Sequence, residues 1–190
     1  TNTVATVADR PSLRELIDPA RVSRPGRYAD GYLDLLGDEP PPVFTFAQKL
    51  MRTRFYSAAY QIGRPVGRRL AGGRRSPGRD DDRRQMAALL RLEPGVIVAD
   101  IACGPGNFTG WFGDRVGPSG LAFGVDASRQ MLTRAVADNS GRCVEYVHGD
   151  AQALPFRTSS VDAVSCLAAL YLVNDPRQTV AELVRIVKPG

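Results

Sequence analysis

Three acidic residues, Asp100, Asp126 and Asp150, sit where a nucleoside-binding α/β unit would need them. Asp100 closes the apolar run V-I-V-A-D and lies four residues before the turn Gly104-Pro-Gly106. Asp126 ends a second apolar run, L-A-F-G-V-D, about twenty residues further on, and Asp150 stands in His148-Gly-Asp-Ala151 after a third. Gly104 and Gly106 let the backbone turn sharply and bring N–H groups close to a ligand at a helix N-terminus. Asp126 is placed to accept hydrogen bonds from both hydroxyls of a ribose, and Asp100 to order a ligand ammonium directly or through water. A carboxylate at Asp150 can accept from an exocyclic amine while the Ala151 N–H donates to a ring nitrogen, which together would read an adenine edge. A pyrophosphate-binding dinucleotide site asks for a third glycine three positions after the second; Thr109 stands there, which weakens the phosphate reading.

The elements that must position these residues alternate along the chain. Hydrophobic periodicity predicts strands at 96–101, 121–125, 143–147 and 161–166, with helices at 107–115, 128–138 and 176–187. Strands alternating with helices of this length mean crossover connections and an α/β fold, a Rossmann-like parallel sheet flanked by helices. Upstream, residues 1–27 are polar and proline-containing and read as a loose or partly ordered arm, with one helical turn at 13–17. The segment from Phe46 to Tyr60 has the apolar spacing of a helix and is a candidate lid. Gly72 to Gly78 reads as a linker, and Asp80-Asp-Asp82 as N-capping carboxylates for a helix over 83–92. Two regions follow: a mostly helical N-terminal extension at 1–79 and a ligand-binding domain at 80–190. Only four strands are used when the chain reaches Lys188-Pro-Gly190, and it starts at Thr1. The expectation is a fragment whose fourth strand keeps an unpaired edge, covered by further chain, by a second copy or by a partner subunit.

Composition narrows the classes further. No apolar run is long enough to cross a bilayer and no signal peptide is readable, so a cytoplasmic protein is expected. Cys103, Cys143 and Cys166 lie in or beside predicted strands and read as buried free thiols, with neither a disulfide framework nor a metal site. Residues 1–94 hold 17 basic and 11 acidic residues and 95–190 hold 8 and 9, so the net charge of +5 sits in the N-terminal half. Nine basic residues and no acidic one lie between Lys49 and Arg79, a field suited to nucleic acid, an anionic membrane surface or an acidic substrate. With 23 arginines and two lysines in the chain, a simply solvated basic face is the competing explanation.

The runs D-I-A-C-G-P-G-N-F-T, G-V-D-A-S-R-Q-M-L, G-D-A-Q-A-L-P-F, S-S-V-D-A-V-S and E-L-V-R-I-V-K-P-G, in this order, resemble the class I S-adenosylmethionine-dependent methyltransferases. The branch most similar is that of the ubiquinone and menaquinone biosynthesis C-methyltransferases, and the likeness covers about Val96 to Gly190. The resemblance implies S-adenosylmethionine as cofactor and the class I fold, here with its last strands missing. It places Asp100, Ala102, Gly104 and Gly106 around the methionine part, Asp126 at the ribose, Ala127 and Met131 at the adenine face, and Asp150 with Ala151 at the adenine edge. Leu167 to Tyr171 matches the segment under the sulfonium, next to the acceptor. A second likeness joins A-D-G-Y-L-D-L-L to the tail of a zinc ribbon that precedes some rRNA methyltransferase domains, without the ribbon's cysteines. Tyr56, Tyr60 and Arg64-Pro65 are similar to the aromatic segment that often covers the cofactor in this branch.

The implied reaction is methyl transfer to a small-molecule or lipid-like acceptor, a quinone or phenol. Such a reaction proceeds largely by proximity and orientation, so the absence of a readable acid–base pair is no objection. Two alternatives stand: an RNA methyltransferase using the basic stretch, and a non-catalytic cofactor-binding partner subunit. His148, the lone histidine, reads as a strand-end residue, Cys103 as non-chemical, and Trp111 and Phe112 as core.

Overall fold

Side-chain alternation along β3 (Ile97–Ile101) divides the interior into two layers. Ile97, Ala99 and Ile101 enter one core with Leu121, Phe123 and Val125 of β4 (Leu121–Asp126), while Val98 joins Phe112 and Val116 on the opposite face. The computed structural model describes residues 12–37 and 79–190. Among these, one sheet of six strands has the order β1-β2-β5-β4-β3-β6, where β1 is Arg27–Ala29, β2 Tyr32–Asp34, β5 Val144–His148 and β6 Ala163–Ser165. The pairs β3–β4, β4–β5 and β3–β6 are parallel, as the alternation of strands and helices requires. Because Asp100, Asp126 and His148 all fall at carboxyl ends of neighbouring strands, the loops that follow them meet on one rim of the sheet.

The helices lie close to their expected positions: α3 (Asn107–Val116), α4 (Arg129–Asn139) and α5 (Pro176–Ile186). Ser128 caps α4, and the Asp175 carboxylate accepts from the Gln178 amide at the start of α5, where Pro176 needs no donor. The preceding helix α2 runs Arg79–Leu89, so Asp80 to Asp82 lie inside it and not before it.

The N-terminal segment departs from its expected form. Residues 12–27, the described part of the expected arm, are ordered: the expected helical turn is α1 (Leu13–Leu16), and the chain runs on into an unexpected hairpin of β1 (Arg27–Ala29) and β2 (Tyr32–Asp34). Asp30 and Gly31 both take positive φ, 53° and 83°, the geometry of a two-residue hairpin turn. Strand β2 then pairs in parallel with β5, Leu33 opposite Val147 and Asp34 opposite His148, so the sheet is mixed and its β5 edge is covered from within the chain. Leu13 and Leu33 are fully buried in the same core as Phe123 and Phe156. Burial of these side chains binds the segment to the sheet. The candidate lid at 46–60, the linker at 72–78, nearly all of the Lys49 to Arg79 stretch, and Tyr56, Tyr60 and Arg64 lie outside the described residues.

On the α5 side, Glu182 is 4% exposed and accepts from Arg185, from Arg21 and from the Leu154 amide. Arg185 in turn donates to the carbonyls of Leu154 and Phe156, which clamps the loop between β5 and β6. Burial opposes the Glu182 charge, but the Arg185 and Arg21 guanidiniums and the Leu154 N–H outweigh it and hold the carboxyl below its ordinary value. A group held low stabilises the fold above the unfolded value near 4.5 and loses that contribution as pH falls. Glu182→Gln is therefore expected to lower stability by about 2 kcal/mol at pH 7. The deficit shrinks as denaturant titrations are repeated down through the carboxylate range; a pH-independent deficit would contradict the charged role.

Candidate functional site

The loops at the carboxyl rim enclose a cavity of about 180 Å³ between β3, β4, β5 and the segment after β6. Its lining includes Asp100, Ala102, Gly104, Asp126, Ala127, Met131, Asp150, Ala151 and Leu167, which brings nine of the ten residues expected at the cofactor together. Gly106 is absent from the lining, and so is Tyr171, which is 72% exposed on a 3-10 turn spanning Leu170–Leu172. The neighbouring Leu172 lines the cavity instead.

The two glycines of the turn have different functions. At Gly104, with φ +56°, an added Cβ would meet no atom within 4 Å, so the backbone there borders open cavity. At Gly106, with φ +73°, it would lie 2.4 Å from the Tyr146 hydroxyl and 2.9 Å from Ala135 Cβ. Gly106 thus lets α3 pack against α4 and β5. Combining the clash with the left-handed backbone, Gly106→Ala should cost about 2–3 kcal/mol, readable as a lowered melting temperature, whereas Gly104→Ala carries the backbone strain without the clash and should cost about 1 kcal/mol.

Asp126 holds the turn in place. Its Oδ2 accepts from the Gly104 N–H at 2.8 Å and its Oδ1 from the Ser128 N–H at 2.8 Å. The Gly104 amide, expected to face a ligand, is thus directed at Asp126. Asp150 accepts from the backbone N–H of Gln152 at 2.9 Å, fixing the loop after β5.

Asp100 lies deeper, 3% exposed, where its two oxygens accept from Thr109 Oγ1 at 2.6 Å and Ser165 Oγ at 2.9 Å. Thr109 has replaced the third glycine with a hydroxyl aimed at the first acid. Burial pushes the Asp100 carboxyl up from 3.8 to about 6; Asp126 adds to the rise and the two hydroxyls oppose it. Cys103 also lines the cavity, but burial and the Asp126 and Asp100 charges push its thiol well above the ordinary range, so it offers no thiolate nucleophile.

Sequence reasoning missed the partners of His148. The imidazole is 1% exposed, with Nδ1 2.8 Å from Asp34 Oδ1 and Nε2 3.2 Å from the Ala127 carbonyl. Asp34 and His148 are 114 positions apart, beyond the reach of any spacing rule. The Asp30-Gly31 hairpin signal was the one local cue that a strand pair, and with it Asp34, would reach a sheet edge. Ala102 and Ala168, both on the cavity wall, hold φ of 57° and 52°, positions where sequence gave no glycine to mark the turn.

Residues 99–190 match the family model described as a methyltransferase domain. Over 111 residues the chain is 33% identical to the demethylmenaquinone methyltransferase of Listeria monocytogenes, an overlap of 57% of this chain and 47% of that protein. The chain thus spans about half the length of the curated relatives it matches. A chain from the Haloferax volcanii complex between the Trm112 methyltransferase activator and a candidate methyltransferase is 35% identical, covers 57% of this chain and 47% of its own, and superposes with a TM-score of 0.51. An S-adenosylmethionine-dependent methyltransferase from Aquifex aeolicus shares the fold, with a TM-score of 0.52 at 22% identity over 57% of this chain and 59% of its own. Residues 99–190 are thus similar to a methyltransferase domain, and the strand order and the cavity at the carboxyl rim fit the fold of such domains.

Proposed function

We propose that the protein binds S-adenosylmethionine in the rim cavity and transfers its methyl group to a small or lipid-like acceptor of the demethylmenaquinone kind. The observation that carries this reading is Asp126, oriented by two backbone amides at the end of β4 on the wall of the cavity. Each carboxylate oxygen can accept more than one hydrogen bond, so a fixed carboxylate here suits a vicinal diol. Asp150 and the Ala151 N–H suit the adenine edge, with Ala127 and Met131 against its face. The open surface above Gly104 and the acid at Asp100 suit the amino-acid end. The donor set fits the cofactor class, which supplies a methyl group already activated on a sulfonium.

The chain's own part is to bind, orient and exclude water. Phe108, Leu167, Leu172 and Val173 give the cavity an apolar wall, which favours displacement between aligned groups over loss of the methyl to solvent. The quinone-type acceptor is supported by the Listeria relative, and a protein partner by the Haloferax complex. Calorimetry with S-adenosylmethionine and S-adenosylhomocysteine, followed by methyl-transfer assays on demethylmenaquinone, simple phenols and RNA, tests the reading. Saturable binding with turnover on the quinone supports it; turnover on RNA alone, or no heat with either nucleoside, overturns it.

A further inference from the structure

Asp34 lies outside the cavity lining and belongs to the N-terminal hairpin, where four partners surround its carboxylate. It is 1% exposed. Its Oδ1 accepts from the Gly37 N–H at 2.8 Å and faces His148 Nδ1 at 2.8 Å; its Oδ2 accepts from an Arg129 Nη2 at 2.9 Å, with Arg24 at 3.7 Å. Arg129 also donates to the Gly37 carbonyl at 2.7 Å and to the Tyr32 hydroxyl at 3.4 Å. From this hub, His148 reaches the Ala127 carbonyl and Arg129 fixes the first residue of α4. Burial opposes the Asp34 charge, but the His148 hydrogen bond, the Gly37 amide and the His148 and Arg129 charges outweigh it and hold the carboxyl at about 2.

What these contacts hold is the cavity wall. Ala127 and Ser128 follow β4, Gly149 and Asp150 follow β5, and all four line the cavity. The Gly149 N–H donates to the Asp126 carbonyl at 3.1 Å, and the Leu35 N–H to the His148 carbonyl at 3.2 Å, so the hairpin and both loops are laced together. Resting on the cofactor reading above, we propose that Asp34 and His148 are positioning residues: the hairpin sets the two loops that receive the adenosine end of the ligand. The Asp34 carboxylate and the Ala127 carbonyl, which flank the ring, are both acceptors.

A merely structural ion pair would lower stability without a local signature, and the substitutions separate the two roles. In the full chain, His148→Asn keeps a donor at the Nδ1 position for Asp34 but has no atom to reach Ala127, and His148→Gln supplies a donor nearer the Nε2 position. Asp34→Asn removes the charge at the hub. Hydrogen exchange of the ligand-free proteins should quicken in 126–131 and 149–152 for Asp34→Asn and His148→Asn, with peptides of α5 unchanged. At a temperature where each variant is folded, affinity for S-adenosylhomocysteine and for 5′-methylthioadenosine, which lacks the amino-acid part, should fall equally, by roughly tenfold or more, and His148→Gln should recover part of it. Exchange that is unchanged or uniformly faster, or a larger loss for S-adenosylhomocysteine than for the truncated nucleoside, overturns the proposal. If the unsubstituted protein binds neither nucleoside, the cofactor reading fails, and the exchange pattern still decides whether the hairpin sets the loops.

Discussion

Replacing Asp126 by alanine is expected to weaken S-adenosylhomocysteine binding by roughly a hundredfold to ten-thousandfold. Two hydroxyl hydrogen bonds to a charged acceptor are lost together, each worth about 1.5–3 kcal/mol when its loss leaves a polar group unsatisfied. The Gly104 and Ser128 amides lose their shared acceptor in the same step, so the turn after β3 and the start of α4 both loosen. The cost to the fold is smaller, because Asp126 stands at the cavity rim and both amides can turn to water. Affinity should therefore collapse with only a modest change in melting. A 2′-deoxy analogue sharpens the test: it should bind the unsubstituted protein more weakly than the parent nucleoside but bind Asp126→Ala equally well. Affinity within threefold of the unsubstituted protein, or a deoxy penalty that survives the substitution, would remove Asp126 from the ribose.

Asp126 was readable in the chain because a strand end following an apolar run is a local property. The same holds for Asp100, Asp150 and the strands themselves, whose alternation sets both burial and register in a parallel sheet. What resisted reading was the use made of each group. Gly104 and Gly106 look alike in a motif, yet one borders the cavity and the other meets Tyr146, a residue forty positions away. Thr109 read as a missing glycine and proved to be a hydrogen-bond donor to Asp100, with Ser165 as its counterpart from β6. Residues 1–27 read as a loose or partly ordered arm because they are polar, hold Pro11, Pro19 and Pro25 and show little periodicity. Leu13, Leu16 and Leu33 nevertheless suffice to dock it, since the β5 edge offers both unpaired backbone and an apolar face. Asp34 and His148 depended on that docking, and so no local pattern announced them.

Asp100→Asn is expected to stabilise the protein while damaging the site. A carboxyl raised from 3.8 to about 6 binds its proton more tightly when folded, so the folded state is favoured below 3.8 and disfavoured progressively as pH rises through 6. At pH 8 the burial of this charge corresponds to about 3 kcal/mol of lost stability, and at pH 5 to about half as much. Asparagine keeps the shape, accepts from one hydroxyl and donates to the other, and carries no charge to bury. The melting temperature of Asp100→Asn should therefore exceed that of the parent at pH 8, with the gap narrowing towards pH 5. The same substitution removes the negative charge from the deep end of a cavity proposed to take an ammonium, and affinity for S-adenosylmethionine should fall by roughly tenfold or more. The opposed signs are the informative part. A destabilised variant would mean that Thr109 and Ser165 hold the charge more than burial resists it, and unchanged affinity would make Asp100 a purely internal acceptor. A stabler, weaker-binding variant would identify Asp100 as a charge kept at the expense of the fold for the sake of the ligand.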